Sequence, residues 1–182
     1  MNFDETPIPF EYLDYQLYDF KDKRTVSVKT NRSGWSKRQA TLILYIFADG
    51  IPRMDPDIIF HGTATKSGGK LEALEGDKYA KGVSVYFNKT AYNNEGLIER
   101  WLDEKLIPLI HLINQPHQPF LLSFDCAAFQ KTPLLLRKMK HNDITPALVP
   151  PGCTGILQPL DTHINKPFKE YLQDATKEYM DH

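Results

Sequence analysis

Three aspartates, each placed near a short apolar run, carry the chemistry open to this chain. The stretch Phe120–Asp161 opens FLLSFDCAAF and closes PPGCTGILQPLD. Its first apolar run, Phe120-Leu121-Leu122-Ser123-Phe124, delivers Asp125 at its end. After a helical segment and a second short run, Ile144–Val149, a Pro/Gly turn leads to Gln158-Pro159-Leu160-Asp161. Carboxylates at the tips of neighbouring strands are how a fold gathers oxygen ligands around a hard cation. A third would complete such a site, and Asp4 in MNFDET is the candidate. Each also has a plainer use: Asp161 as the N-cap of a terminal helix, Asp4 as an acid in a turn.

Other reactive side chains fall short of a motif. Cys126 and Cys153 are separated by 26 residues and have no CxxC partner, which suits a reducing compartment such as cytosol or nucleus and excludes a zinc knuckle. Cys126 has no adjacent His base, so both cysteines read as packing residues. The six histidines form neither HxH nor HExxH, and His163, two after Asp161, reads as a surface or capping residue.

Net charge is −1, so bulk charge does not select a nucleic-acid partner, but its distribution is uneven. From Lys21 to Arg38 seven basic residues face one acid, with Trp35 beside Ser33-Gly34. Lys29, Arg32, Trp35, Lys37 and Arg38 could bind a phosphate backbone, with a charged connection between strands as the alternative. Lys131, Arg137, Lys138 and Lys140 could also reach DNA, although a solvated helix face is the safer reading.

The elements that would position these residues follow from periodicity. At 182 residues, 41% hydrophobic and 25% charged, the chain suits one globular domain, with no apolar run long enough for a membrane span and no signal peptide expected. Met1–Asp4 reads as the tail of a strand that Thr6-Pro7-Ile8-Pro9 breaks. Tyr12, Tyr15, Tyr18 and Phe20 read as packing aromatics. Thr25–Lys29, Gln39–Ala48, Ile58–Phe60 and Gly82–Asn88 read as strands, meandering and antiparallel, with Asp49-Gly50 as a hairpin turn and Thr63–Lys81 as a loop. Asn94–Asn114 changes to helical spacing, and Pro108 should kink it or end its regular part. Thr132–Asn142 is a short basic helix. Ile164, Phe168, Tyr171, Leu172 and Ala175 form the apolar stripe of a final helix that starts, or restarts, near Pro167. Strands followed by alternating helix and strand point to an α/β three-layer domain with a mixed sheet.

The pieces NFDET, TNRSGWSKRQATLILYIFADGIPR, FLLSFDCAAFQKTP and VPPGCTGILQPLDTHINKPFKEYL resemble the catalytic domain of DDE-superfamily transposases of the pogo type, related to centromere protein B and jerky-like proteins. The resemblance runs from Asn2 to about Leu172, and QPLD with its Asn-Lys-Pro-Phe-Lys continuation is its specific part. It implies an RNase H-like fold, a mixed five-stranded sheet flanked by helices. It implies Asp4, Asp125 and Asp161 as catalytic residues and metal ligands, with 35 residues between the last two. It further implies two Mg²⁺ (or Mn²⁺) ions, DNA as substrate, a homo-oligomer during synapsis, no membrane, and a nuclear location.

The family's usual helix-turn-helix domain has no counterpart here, and only three residues precede Asp4. The expectation is a single catalytic domain over 1–182, N-terminally truncated. Its function would be a metal-dependent DNA endonuclease and strand-transfer domain. The alternative is an inactive, domesticated module that binds nucleic acid or protein. An RNase H-type nuclease acting on RNA–DNA hybrids would suit the fold, but the QPLD region does not point there.

Overall fold

A computed structural model describes residues 1–10, 39–62, 78–114, 117–125 and 132–180. The strand expected at Thr25–Lys29 and the aromatics Tyr12, Tyr15, Tyr18 and Phe20 lie outside them. Strands β1 (Asn2–Pro9), β2 (Gln39–Ile46), β3 (Asp57–His61), β4 (Ser84–Asn88), β5 (Phe120–Phe124) and β6 (Ile144–Leu148) form one sheet in the order β4-β3-β2-β1-β5-β6. β2 is antiparallel to both its neighbours, β1 and β3, and every other pair is parallel. Among the described residues the sheet therefore has six strands where five were expected, and β4 pairs parallel to β3 instead of continuing an antiparallel meander.

β1 corrects a second expectation. It does not stop at Thr6 but pairs with β2 along its whole length, Asn2↔Ile46 through Pro9↔Gln39. The prolines are tolerated because of where their missing N–H groups would point. The Met1 amine donates to Leu121 O, and Ser123 N–H donates to Met1 O, so Met1 faces β5. Strand alternation sends the backbone groups of residues 3, 5, 7 and 9 to that same side. The β1–β5 ladder lies at the start of β1, around Asn2↔Ser123, so Pro7 and Pro9 remove donors from a side with no strand partner among the described residues.

Side chains on the two faces of β1 serve different layers. On one face Phe3 is buried against Trp101, Tyr45 and Phe124, with ring centroids 5.3, 5.9 and 6.4 Å away. Trp101 ends helix α1 (Glu95–Trp101), whose N-cap Asn94 accepts from Leu97 N–H at 3.0 Å. A π-helical turn, Leu102–Leu106, leads on to α2 (Ile107–Ile113). Ile98, Leu102, Leu106 and Ile110 bury the apolar stripe against the sheet. Helix α3 (Pro133–His141) lies beside them and contributes Leu135 and Met139. Lys138 is not a free cation for DNA: it bonds Glu99 at 3.0 Å and Asp103 at 2.6 Å, tying α3 to α1 and the π-helical turn. The same layer holds a buried ion pair that sequence reasoning missed, in which Lys105 donates to Asp57 and, at 2.7 Å, to Ser84 Oγ. Tyr45 OH donates to the other Asp57 oxygen at 2.6 Å.

On the opposite face lie the short helix α4 (Thr154–Leu157), a second π-helical turn, Leu160–Ile164, and helix α5 (Asn165–Met180). Each π-helical turn comes just before a proline. Pro108 lacks the N–H that would bond Glu104, and Pro167 the one that would bond His163, so a wider turn accommodates each ring. The regular α-helix thus gives way to a π-helical turn ahead of Pro108 and resumes at Ile107. Ile164 and Tyr171 do not join the α5 stripe; they are 39% and 72% exposed, while Phe168, Leu172 and Ala175 are partly buried.

Candidate active site

Alternation along β1 puts Asn2, Asp4 and Thr6 on the face away from Phe3, and all three are buried there. Asn2 on this face is tied to the QPLD segment. Leu160 N–H donates to Asn2 Oδ1 at 3.3 Å, and Asn2 Nδ2 donates to Ser123 O at 3.1 Å. One side chain therefore joins the start of β1, the end of β5 and the turn that carries Asp161. Gln158 is fully buried beneath that turn and donates to Phe3 O at 3.5 Å. Its own carbonyl accepts from Thr162 N–H at 3.0 Å, which closes the turn over Pro159.

With the turn seated in this way, Asp161 comes to Asp4. Asn165, four residues after Asp161 and one helical turn along, donates through Nδ2 to Asp4 Oδ2 at 2.5 Å and to Asp161 Oδ1 at 3.0 Å. Two carboxylates from opposite ends of the chain thus share one amide nitrogen. The electrostatics follow from the geometry. Burial raises the Asp4 pKa to about 6, the Asn165 hydrogen bond opposes the rise, and the Asp161 charge adds to it.

Asp125 follows the last residue of β5. The Asn2↔Ser123 register, carried two residues on, brings it level with Asp4 on the adjacent strand. It does not complete a cluster: among the described residues no group of three or more His, Cys, Asp or Glu is placed to hold a metal ion. Asn165 brings Asp4 and Asp161 together, and Asp125 stands just past the end of the strand beside Asp4. Lys29, Arg32, Trp35, Lys37 and Arg38 lie outside the described residues, as do Cys126 and Lys131. Arg137 Nε donates to Pro133 O, and Lys140 is exposed. His163 is exposed, with its Nδ1 2.5 Å from Thr162 Oγ1.

The residues present suit a hard divalent cation. Asp4 and Asp161 offer carboxylate oxygens close enough to share one nitrogen. Among the described residues three buried side-chain polar atoms have no hydrogen-bond partner, and two of them, Gln158 Oε1 and Asn165 Oδ1, are amide oxygens of the segment that carries Asp161. Carboxylate and amide oxygens are the donors that Mg²⁺ and Mn²⁺ take. Sequence reasoning missed Asn2 and Asn165. Both had a signal: Asn2 shares a strand face with Asp4, and Asn165 shares a helix face with Asp161.

Comparison with known proteins sets this geometry in a family. Residues 37–182 match the family model described as DDE superfamily endonuclease. That span contains Asp125 and Asp161 and begins after β1, so Asp4 stands on the geometry above. The chain is similar to the Mus musculus protein named Pogo transposable element with KRAB domain, at 26% identity over 173 residues, which is 94% of this chain and 26% of that protein. It is similar to the Homo sapiens protein of the same name at 27% identity over 172 residues, again 94% of this chain and 26% of the other. The chain thus spans about a quarter of the length of these curated relatives. No solved structure matches.

Proposed function

The chain belongs to the DDE superfamily of endonucleases, and from that premise we infer that it is a transposase-derived, metal-dependent DNA endonuclease and strand-transfer domain of the pogo type, spanning 1–182. In this reading the sheet is RNase H-like, with β4 as an added strand. Asp4, Asp125 and Asp161 hold two Mg²⁺ or Mn²⁺ ions. When bound, such cations supply Lewis-acid stabilisation of charge on phosphodiester oxygens during in-line attack. The rest falls to the chain's own groups. Asp4, buried beside a second carboxylate, keeps a proton on its carboxyl below about pH 6 and must release it to ligate. Asn2 and Gln158 hold the QPLD turn against β1, so Asp161 is presented from a rigid backbone. Lys29, Arg32, Trp35, Lys37 and Arg38 bind the DNA backbone, and a homo-oligomer forms during synapsis in the nucleus.

The observation that carries this reading is the convergence of Asp4 and Asp161 on one amide nitrogen, across the whole length of the chain. The test is nicking of supercoiled plasmid DNA by the purified chain with Mg²⁺ or Mn²⁺. Cleavage that needs the divalent ion and is lost in Asp125→Ala and Asp161→Ala supports the reading; cleavage unchanged by either substitution refutes it. A second reading, a catalytically inactive module that binds nucleic acid or protein, is favoured by one feature: Asp125 does not join the other two carboxylates in a cluster. Metal-independent DNA binding with no nicking would select it.

A further inference from the structure

Asn165 makes a contact that the family match does not explain. Its side chain is buried, and one amide nitrogen donates to two carboxylates, Asp4 Oδ2 at 2.5 Å and Asp161 Oδ1 at 3.0 Å. An N–H group between two carboxylate oxygens occupies the electrostatic position a cation would take, because it presents partial positive charge to both. The amide's other end, Oδ1, is buried with no hydrogen-bond partner. A lone carbonyl oxygen held out of water is costly, and such an atom persists in a fold where something else uses it.

We propose that Asn165 is a positioning residue that clamps Asp4 to Asp161 before the site takes up a divalent cation. This rests on the reading of Asp4 and Asp161 as ligands. The clamp solves a problem the site creates for itself. Two carboxylates facing each other, Asp4 buried and Asp161 exposed, repel, and the QPLD turn, held otherwise by Asn2 and Gln158, would relax to separate them. Asn165 is well placed to prevent this. It lies at the junction of the π-helical turn and α5, so its position is set by helix backbone and not by a loop. It contacts no reacting atom, and its effect passes through the two carboxylates. Removing it leaves both aspartates in place and leaves them without a shared donor.

Two measurements on the full chain test this. The first is Mn²⁺ affinity by isothermal titration calorimetry. Asn165→Ala should bind at least about ten-fold more weakly than wild type, the usual scale for a residue that orients ligands. The second needs no metal: a thermal double-mutant cycle of Asn165→Ala with Asp161→Ala, run with chelator. The two losses in Tm should fail to add by about 3 °C or more, because each variant removes the same contact. Equal Mn²⁺ affinity in a folded Asn165→Ala protein, or strict additivity in the cycle, overturns the clamp. If wild type binds no Mn²⁺, the ligand reading fails, and the cycle alone decides whether Asn165 couples the pair. Should the alanine variant not fold, Asn165→Ser, with a donor too short to span both carboxylates, is read in the same two ways.

Discussion

Asp4 and Asp161 lie 157 positions apart in the chain, and both accept a hydrogen bond from Asn165 Nδ2, at 2.5 and 3.0 Å. The pairing makes stability depend on pH in a definite direction. Burial raises the Asp4 pKa from 3.8 to about 6, so between those values the folded chain binds a proton that the unfolded chain has lost. Stability contributed by protonated Asp4 is therefore complete below about pH 3.8 and is lost as pH rises through about 6. In metal-free buffer, Asp4→Asn should flatten this part of the Tm–pH curve relative to wild type. Parallel curves for the two proteins between pH 4 and pH 6 would contradict the placement of Asp4.

A divalent cation should reverse that trend, because it favours the carboxylate form. At a Mg²⁺ or Mn²⁺ concentration about ten times the dissociation constant, the folded state gains roughly 1.4 kcal/mol, or about 3–5 °C in Tm. The gain should grow from pH 5 to pH 7 as Asp4 gives up its proton. Differential scanning fluorimetry should show the shift in wild type and its absence in Asp161→Ala and Asp125→Ala. Equal shifts in all three proteins would remove the metal site.

The opposite face of the sheet offers an independent check on the fold. Asp57 is 1% exposed and is held by Lys105 and by Tyr45 OH. Its pKa is raised by burial even so, and the Lys105 contact works against that rise. Lys105→Met would leave the carboxylate buried without its cation, at a cost of about 3–5 kcal/mol in urea unfolding. Adding Asp57→Asn, which can still accept from Tyr45, should recover most of the loss. A single-variant cost below about 1 kcal/mol would mean that the pair is not buried as described.

Phe3 couples the core to the candidate site, since it precedes Asp4 and packs on Trp101 and Phe124. Phe3→Ala should cost about 3–5 kcal/mol. Because β1 then loses its anchor, Mn²⁺ affinity should fall in the same variant even under conditions where it stays folded. Unchanged affinity would separate the placement of Asp4 from the packing of β1.

Much of this architecture was legible in the order of residues. The alternation in Gln39–Ile46, the helical period of Glu95–Ile113, and the apolar run ending at Phe124 each report a local rule, and local rules survive folding. What could not be read depended on partners distant in the chain. Pro7 and Pro9 look like strand breakers until the direction of their missing N–H groups is known, and that direction is set by Met1 bonding to β5. β4 alternates like any half-buried strand, and nothing in its own residues says that it pairs parallel to β3. At the site the aspartates stood out because their type suggests chemistry. Asn2 and Asn165, which join β1 to the QPLD turn, are amides whose role appears only once the two ends of the chain meet. Tyr171 sits at stripe spacing and is still exposed.

The most direct measurement is an anomalous difference map from crystals of the chain grown with Mn²⁺ near pH 7. The account predicts manganese peaks between Asp4 and Asp161, with Asp125 drawn in from the end of β5 to the same ions. Well-ordered crystals with no manganese there, or with manganese bound elsewhere while Asp4 and Asp161 keep their shared bond to Asn165, would contradict it.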